Sequence, residues 1–240
     1  MTVSLIICTY NRPSFLRLSL LSFARQDRLP DEIVVADDGS GPETADAVRL
    51  AVRDLLCPVQ HAWQEDLGFR LAASRNTAFR ASSGEYLIFT TDDLVAARGF
   101  IGAHVTHARP DTFLLGNCVR LDPGCSASLL AGELDIPSLE AMPHSEERQR
   151  LTAVHRQNLW HAFLRRLRLC KEHKPKLAGY NFSLYRGDYE KVNGCDEDFV
   201  GWGAEDDDLG RRLMLAGVQP RSIVPYALGY HIYHPTTGPE

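Results

Sequence analysis

Four short segments of the 240-residue chain carry side chains that could do chemistry. The first pairs Thr9-Tyr10-Asn11-Arg12-Pro13 with Asp37-Asp38-Gly39-Ser40. Tyr10 could stack on a base, and Asp37 or Asp38 could accept hydrogen bonds from a base N–H or a ribose hydroxyl. The same residue types also cap helices and form turns. The second is Thr90-Thr91-Asp92-Asp93. Paired carboxylates suit a hard divalent cation, which would bridge a diphosphate and neutralise charge on a leaving group. Their plainer reading is as caps of a helix beginning near Ala96. The third is Gly201-Trp202-Gly203-Ala204-Glu205-Asp206-Asp207-Asp208. A helix dipole accounts for one or two acids at a helix start, not four. Mutual repulsion raises at least one of their pKa values, which suits a general base. Trp202 between glycines offers a flat apolar platform for a sugar ring. The fourth is Tyr230-His231-Ile232-Tyr233-His234-Pro235. A neutral imidazole added to a carboxylate makes a mixed N/O site compatible with manganese. On a strand, His231 and His234 point to opposite faces, so only one would enter such a site.

The elements that must position these groups read as α/β. Residues 3–8 (VSLIIC), 32–36 (EIVVA) and 86–89 (YLIF) are β-branched or aromatic runs that predict buried strands. Apolar periodicity predicts helices over 13–27 and 71–82, and Pro42 suits the first turn of another running to about 56. Strand–helix alternation implies right-handed crossovers and a mostly parallel sheet. Further on, 112–121 reads as a strand, 123–143 as surface loop rich in Gly, Ser and Pro, and 145–172 as one or two charged helices. A strand follows over 176–185, a helix over 206–216 and closing strands over 221–232. In an open parallel sheet, ligands bind beyond the carboxyl ends of the strands, which directs attention to the loop after Cys8, the acidic pairs after Ala36 and Thr91, and whatever the second half folds back over them.

Composition narrows the class. With 44% hydrophobic and 24% charged residues the chain is an ordinary globular one, and its net charge of −5 argues against nucleic acid as a partner. No apolar run approaches the roughly 18–20 residues that cross a bilayer, and residues 3–8 are too short for a signal-peptide core, so a cytoplasmic protein is expected. The six cysteines form no CxxC pair and read as reduced. Residues 161–176 interleave Arg165, Arg166, Arg168, Lys171, Lys174 and Lys176 with Phe163, Leu164, Leu167 and Leu169. That pattern is a solvated basic face, or else a contact with an anionic membrane surface on the inner face of the membrane or with an anionic glycolipid acceptor.

Taken together, SLIICTYNRP, EIVVADDGS, DLGFRLAASRNTAF, YLIFTTDDL and VNGCDEDFVGWGAEDDDLGRRL resemble the family-2 glycosyltransferases with the GT-A fold. The second half resembles the C-terminal region shared by β-1,4-galactosyltransferases and bacterial chondroitin polymerases. The resemblance implies one Rossmann-like GT-A domain over 1–240: a nucleotide-sugar-binding half over 1–121, a loop and helical insertion over 122–175, and an acceptor-binding and catalytic half over 176–240. It implies that Thr9, Tyr10 and Arg12, with Asp37 or Asp38, hold the nucleotide of a UDP-sugar, that Arg70 lies near it, and that Arg75 and Asn76 support that loop. Asp93 matches the family's metal-binding aspartate, with Asp92 beside it, and His231, or alternatively His234, completes a Mn2+ or Mg2+ site. Asp206 matches the catalytic base, Glu205 and Asp207 help hold donor and acceptor sugars, and Trp202 shapes the acceptor pocket.

Two departures stand out. Thr91 replaces the first acid of the usual DxD, and Ala204 replaces the second glycine of GWGGEDD. Three readings follow: an inverting, metal-dependent transferase moving a hexose or N-acetylhexosamine (galactose by resemblance) to a glycan or glycolipid hydroxyl; a catalytically silent nucleotide-sugar-binding module; or a sugar nucleotidyltransferase. The last needs a glycine-rich basic loop where this chain has CTYNRP.

Overall fold

The computed structural model describes residues 1–53, 55–167, 169, 177–201 and 203–235. In chain order the elements are β1 (Val3–Thr9), α1 (Pro13–Ala24), β2 (Glu32–Asp37), α2 (Pro42–Ala51), β3 (Val59–Trp63), α3 (Leu71–Ala81), β4 (Tyr86–Thr91), β5 (Leu94–Ala96), α4 (Phe100–His107), β6 (Thr112–Leu115), β7 (Val119–Arg120), α5 (Pro123–Ala131), α6 (Ile136–Ala141), α7 (Ser145–Arg166), β8 (Asn181–Tyr185), α8 (Arg186–Lys191), α9 (Glu205–Leu215), β9 (Gln219–Ser222) and β10 (Gly229–His231).

The central sheet has the order β3-β2-β1-β4-β8-β6-β9, and β5-β10-β7 forms a second, small sheet. β1 runs parallel to both β2 and β4, and all three are buried almost throughout. That is why their sequences are continuous apolar runs rather than alternating ones. Their register brings three carboxyl ends to one edge: Thr9 pairs with Asp37, and Cys8 with Thr91. β8 is antiparallel to its neighbours, so it contributes its start to that edge, with Asn181 opposite Thr90. Helices cover both faces, and the two main apolar clusters lie on opposite sides of the sheet, one with Leu5 and Ile7, the other with Ile6 and Cys8. A third cluster beneath the small sheet gathers Val95, Val119, Leu139 and Tyr230.

Three expectations need correction. Residues 123–143 are not loop: α5 and α6 form there, capped by Asp122 and Asp135 side chains that accept from Cys125 N and Ser138 N at 2.9 and 2.8 Å. Pro123 and Pro137, which suggested a loop, occupy the first helical turns, where a missing N–H costs nothing. The run 112–121 breaks into β6 and β7, which belong to different sheets. No helix starts near Ala96; β5 occupies that stretch and α4 begins at Phe100. The edge strand β3 is partly exposed, and polar Gln60 and His61 conceal it in the sequence. Among the described residues, no helix is long and apolar enough to cross a membrane.

Candidate functional site

Asp93, the second residue past β4, is held by its own neighbourhood. Thr91 Oγ1 donates to Asp93 Oδ1 at 2.6 Å. Ile232 N donates to the Asp93 carbonyl at 2.9 Å, and pairing of β5 with β10 sets His231 opposite Leu94. His231 Nε2 lies 3.6 Å and His234 Nε2 3.1 Å from Asp93 Oδ2. One ligating atom from each of the three lies within 4.8 Å of the others. Both histidines therefore enter the cluster, contrary to the alternation argument. β10 ends at His231, and beyond a strand's end a period of two no longer governs where side chains point.

The electrostatics suit cation binding. Burial pushes the Asp93 carboxyl up, but the His234 hydrogen bond and nearby His231 hold it below the ordinary carboxylate range. Burial lowers His231, keeping it neutral with a lone pair available, whereas the hydrogen bond to Asp93 raises His234. A carboxylate and two imidazoles form a donor set that fits manganese or another borderline divalent ion. Asp92 is not part of this cluster. Its Oδ2 accepts from Thr9 Oγ1 at 2.7 Å, and burial, then the charge of Asp93, pushes it up to about 7. Arg12 bridges both acids, at 3.9 Å from Asp92 and 3.3 Å from Asp93, and approaches His234 Nδ1 at 3.4 Å.

The acidic helix sits beside this cluster. Asp206 Oδ1 accepts from Arg75 Nη1 at 2.6 Å, and Asp206 Oδ2 from Gly179 N at 2.9 Å. Arg75 is fully buried, and losing one partner of such a pair costs about 3–5 kcal/mol. Gly179 has to be glycine, since a Cβ there would run into both Arg75 and the Asp206 carboxylate. The next residue, Tyr180, places its ring 6.1 Å from that of His231. Residues 179–180 thus touch the acid at one end and the histidine cluster at the other. The four acids are distinct in role: Asp208 pairs with Arg212 within α9, at 2.7 Å; Asp207 is half-buried; Glu205 is buried 3.8 Å from Arg75, and its Oε2 has no hydrogen-bond partner. Burial, and then the charge of Asp206, raises the Glu205 pKa.

On the other flank, Asp37 is bonded to Ser40 N at 2.8 Å and His61 Nε2 at 2.7 Å. Asp38 accepts from Arg70 N and from Gln64 Nε2, both at 2.6 Å. Both acids are buried and engaged in shaping the loops of this edge. Tyr10 is exposed, with its hydroxyl bonded to Asp66 at 2.9 Å. The Arg70 side chain turns to the Glu65 carbonyl. Asn76 ties Cys195 and Tyr189 to α3. Trp202 lies outside the described residues. The direct Arg75–Asp206 bond and the bond from Gly179 N to Asp206 have no signature in the chain, because they join residues 131 and 27 positions apart.

The substitution at 204 has a visible cost. Ala204 precedes α9 with φ 72°, in the left-handed region. That conformation costs a non-glycine residue roughly 1–2 kcal/mol, partly offset by the lower unfolded-state entropy of Ala relative to Gly. Ala204→Gly should therefore stabilise the fold by about 0.5–1 kcal/mol and raise Tm by about 1–4 °C in calorimetry. A lower Tm would show that the methyl group makes contacts worth more than the strain.

A mostly parallel sheet with acids and histidines gathered at its carboxyl edge is the GT-A class of α/β fold, and solved structures agree. The mannosyltransferase PcManGT from Pyrobaculum calidifontis, in complex with GDP-Man and Mn2+, superposes with TM-score 0.67 at 20% identity, over 98% of this chain and 58% of its own. TarS 1–349 of S. aureus in complex with UDP-GlcNAc gives 0.64 at 16%, over 98% and 60%. The family model described as glycosyl transferase family 2 matches residues 4–173, and the chain belongs to that family. A second model, described as the N-terminal domain of galactosyltransferase, matches 162–235. Validoxylamine A glucosyltransferase of Streptomyces hygroscopicus subsp. limoneus is 33% identical over 98% of this chain and 52% of its own length. Chondroitin synthase of Escherichia coli is 26% identical over 95% and 34%. The chain spans about half the length, or less, of these curated relatives.

Proposed function

We propose that the chain catalyses inverting transfer of a hexose or N-acetylhexosamine from a UDP-sugar to a hydroxyl of a glycan or glycolipid. The observation that carries this reading is the placement of two separate acidic centres, Asp206 and Asp93, on either side of residues 179–180. A transfer that inverts the anomeric centre needs a base on one side of the sugar and charge stabilisation on the other.

In this reading Asp206 accepts the proton of the acceptor hydroxyl while that oxygen attacks the anomeric carbon and the bond to the diphosphate oxygen breaks. Its orientation is fixed by Arg75 and Gly179. Asp93, His231 and His234 would hold a divalent cation, which when bound supplies positive charge to the departing diphosphate. Arg12, already beside Asp93, adds a second positive charge there. Tyr10 offers an exposed ring to the base, and the loops pinned by Asp37, Asp38 and Arg70 wall the nucleotide side. Glu205, with an unpartnered buried oxygen next to the base, and Asp207 are the acids placed to accept sugar hydroxyls.

The silent-module reading rested on Thr91, yet that residue orients Asp93 rather than leaving the site without an acid. The uridine donor is supported by the family resemblance and by the fold neighbour TarS 1–349 in complex with UDP-GlcNAc, whereas the fold neighbour PcManGT is in complex with GDP-Man. The galactose expectation has no support: the relative at 33% identity is named for glucose. A donor screen tests the proposal directly. Incubated with UDP-sugars and Mn2+, the protein should release UDP from one donor, faster with the right acceptor. Release from none, with nucleotide still bound, would establish a binding module; pyrophosphate-dependent turnover would establish a nucleotidyltransferase.

A further inference from the structure

The long helix α7 carries an outward face that the transferase reading does not use. Its inner line packs on the body: Leu151 is buried, Val154 joins the cluster under the small sheet, and His155 Nδ1 lies 2.9 Å from Ser222 Oγ. The outer line is exposed from Thr152 through Arg156, Leu159, Trp160, Phe163, Arg166 and Leu167. These positions recur every three or four residues, so they form one stripe along the helix. Leu159, Trp160, Phe163 and Leu167 are each half exposed or more, and the Trp160 and Phe163 rings stack at 5.7 Å. Leu169, just past the helix, is more exposed still. Four large apolar side chains on one face cost free energy in water and mark an interaction surface.

Charge says what covers it. From Arg148 to Leu167 there are five arginines and no aspartate or glutamate, in a chain whose net charge is −5. Arg156 and Arg166 flank the aromatic pair on the exposed stripe. A second copy of this face would bring arginines against arginines. A soluble polyanion would satisfy the arginines but leave Trp160 and Phe163 in water. A surface that is anionic outside and apolar a few ångströms below satisfies both. We propose that the C-terminal half of α7 docks on an anionic lipid surface, with Leu159, Trp160, Phe163 and Leu167 in the headgroup–acyl boundary and Arg156 and Arg166 among the lipid phosphates. This stands independently of the transferase reading. Of the 161–176 stretch singled out in the sequence, positions 168 and 170–176 lie outside the described residues and contribute nothing to it.

Flotation of the full chain with vesicles tests the proposal. At low salt the protein should float with vesicles containing phosphatidylglycerol and stay behind with pure phosphatidylcholine. Trp160→Ser/Phe163→Ser and, separately, Arg156→Glu/Arg166→Glu should each lower bound protein by about tenfold or more. Both pairs are exposed, so thermal melting and nucleotide binding should stay as in the parent chain. No flotation at low salt would overturn the proposal. So would equal binding to a soluble anionic polymer that the serine pair leaves unchanged. A dimer in light scattering that the serine pair dissociates would assign the face to self-association instead.

Discussion

Asp206→Asn should lower turnover by roughly 10²–10⁴, the range a positioned general base contributes, while changing affinity for the nucleoside diphosphate by less than about twofold. The geometry makes this substitution informative. One carboxylate oxygen accepts from Arg75 and the other from Gly179 N, at 2.6 and 2.9 Å. An asparagine fills the same space and can still accept from Arg75 through its carbonyl. Its amide then faces the Gly179 N–H, donor against donor, and an unsatisfied buried donor costs about 1–3 kcal/mol. The neutral amide also deprives the buried Arg75 cation of its nearest anion, leaving Glu205 at 3.8 Å, so a clear fall in Tm is part of the expected result, and melting curves must show the variant folded at the assay temperature. The decisive comparison is between the two losses. Turnover falling alone identifies the base; turnover and nucleotide affinity falling together mean that the residue serves donor binding, and another group takes the proton.

The parts of this site differ in how far the chain discloses them. β1, β2 and β4 are legible because a strand buried on both faces has no polar positions, and the acids that follow them are placed by parallel register alone. α5 and α6 escape because their Pro, Gly and Ser content resembles loop, although Asp122 and Asp135 each stand where an N-cap belongs. β3 escapes for the opposite reason: an edge strand can be half polar. The histidine pair is misjudged by applying strand alternation to His234, three residues past the end of a three-residue strand. The Arg75–Asp206 pair is visible as two residue types but not as a bond, since nothing local links α3 to α9. The two halves of the chain meet at β8, the antiparallel strand inserted between β4 and β6. Its start places Gly179 and Tyr180 in the cleft.

Loss of the cation centre should be nearly as costly as loss of the base, and the structure ranks its members. Asp93→Asn keeps the volume, and its carbonyl can still accept from Thr91, but it removes the anionic ligand. Apo stability should fall only modestly: the ion pairs of Asp93 Oδ2 with Arg12 and His234 are lost, while the repulsion that helps push Asp92 up to about 7 is relieved. The expected signature is therefore conditional. With saturating Mn2+ at about 100 times its Kd, the parent chain should gain about 2.7 kcal/mol of stability, and the asparagine variant almost none. Turnover of the variant should fall at least about a hundredfold and no longer respond to added metal. Thr91→Ala separates holding from orienting. It keeps all three ligating side chains and removes only the 2.6 Å bond to Asp93 Oδ1, and outer-shell losses of that kind cost about 10–100-fold in metal affinity. The order Asp93→Asn worse than Thr91→Ala, read by metal titration calorimetry and by the metal-dependent Tm shift, is what a true cation centre requires. Should the asparagine variant bind Mn2+ as tightly as the parent, the histidine cluster is a structural contact, and Arg12 is left as the charge that meets the diphosphate.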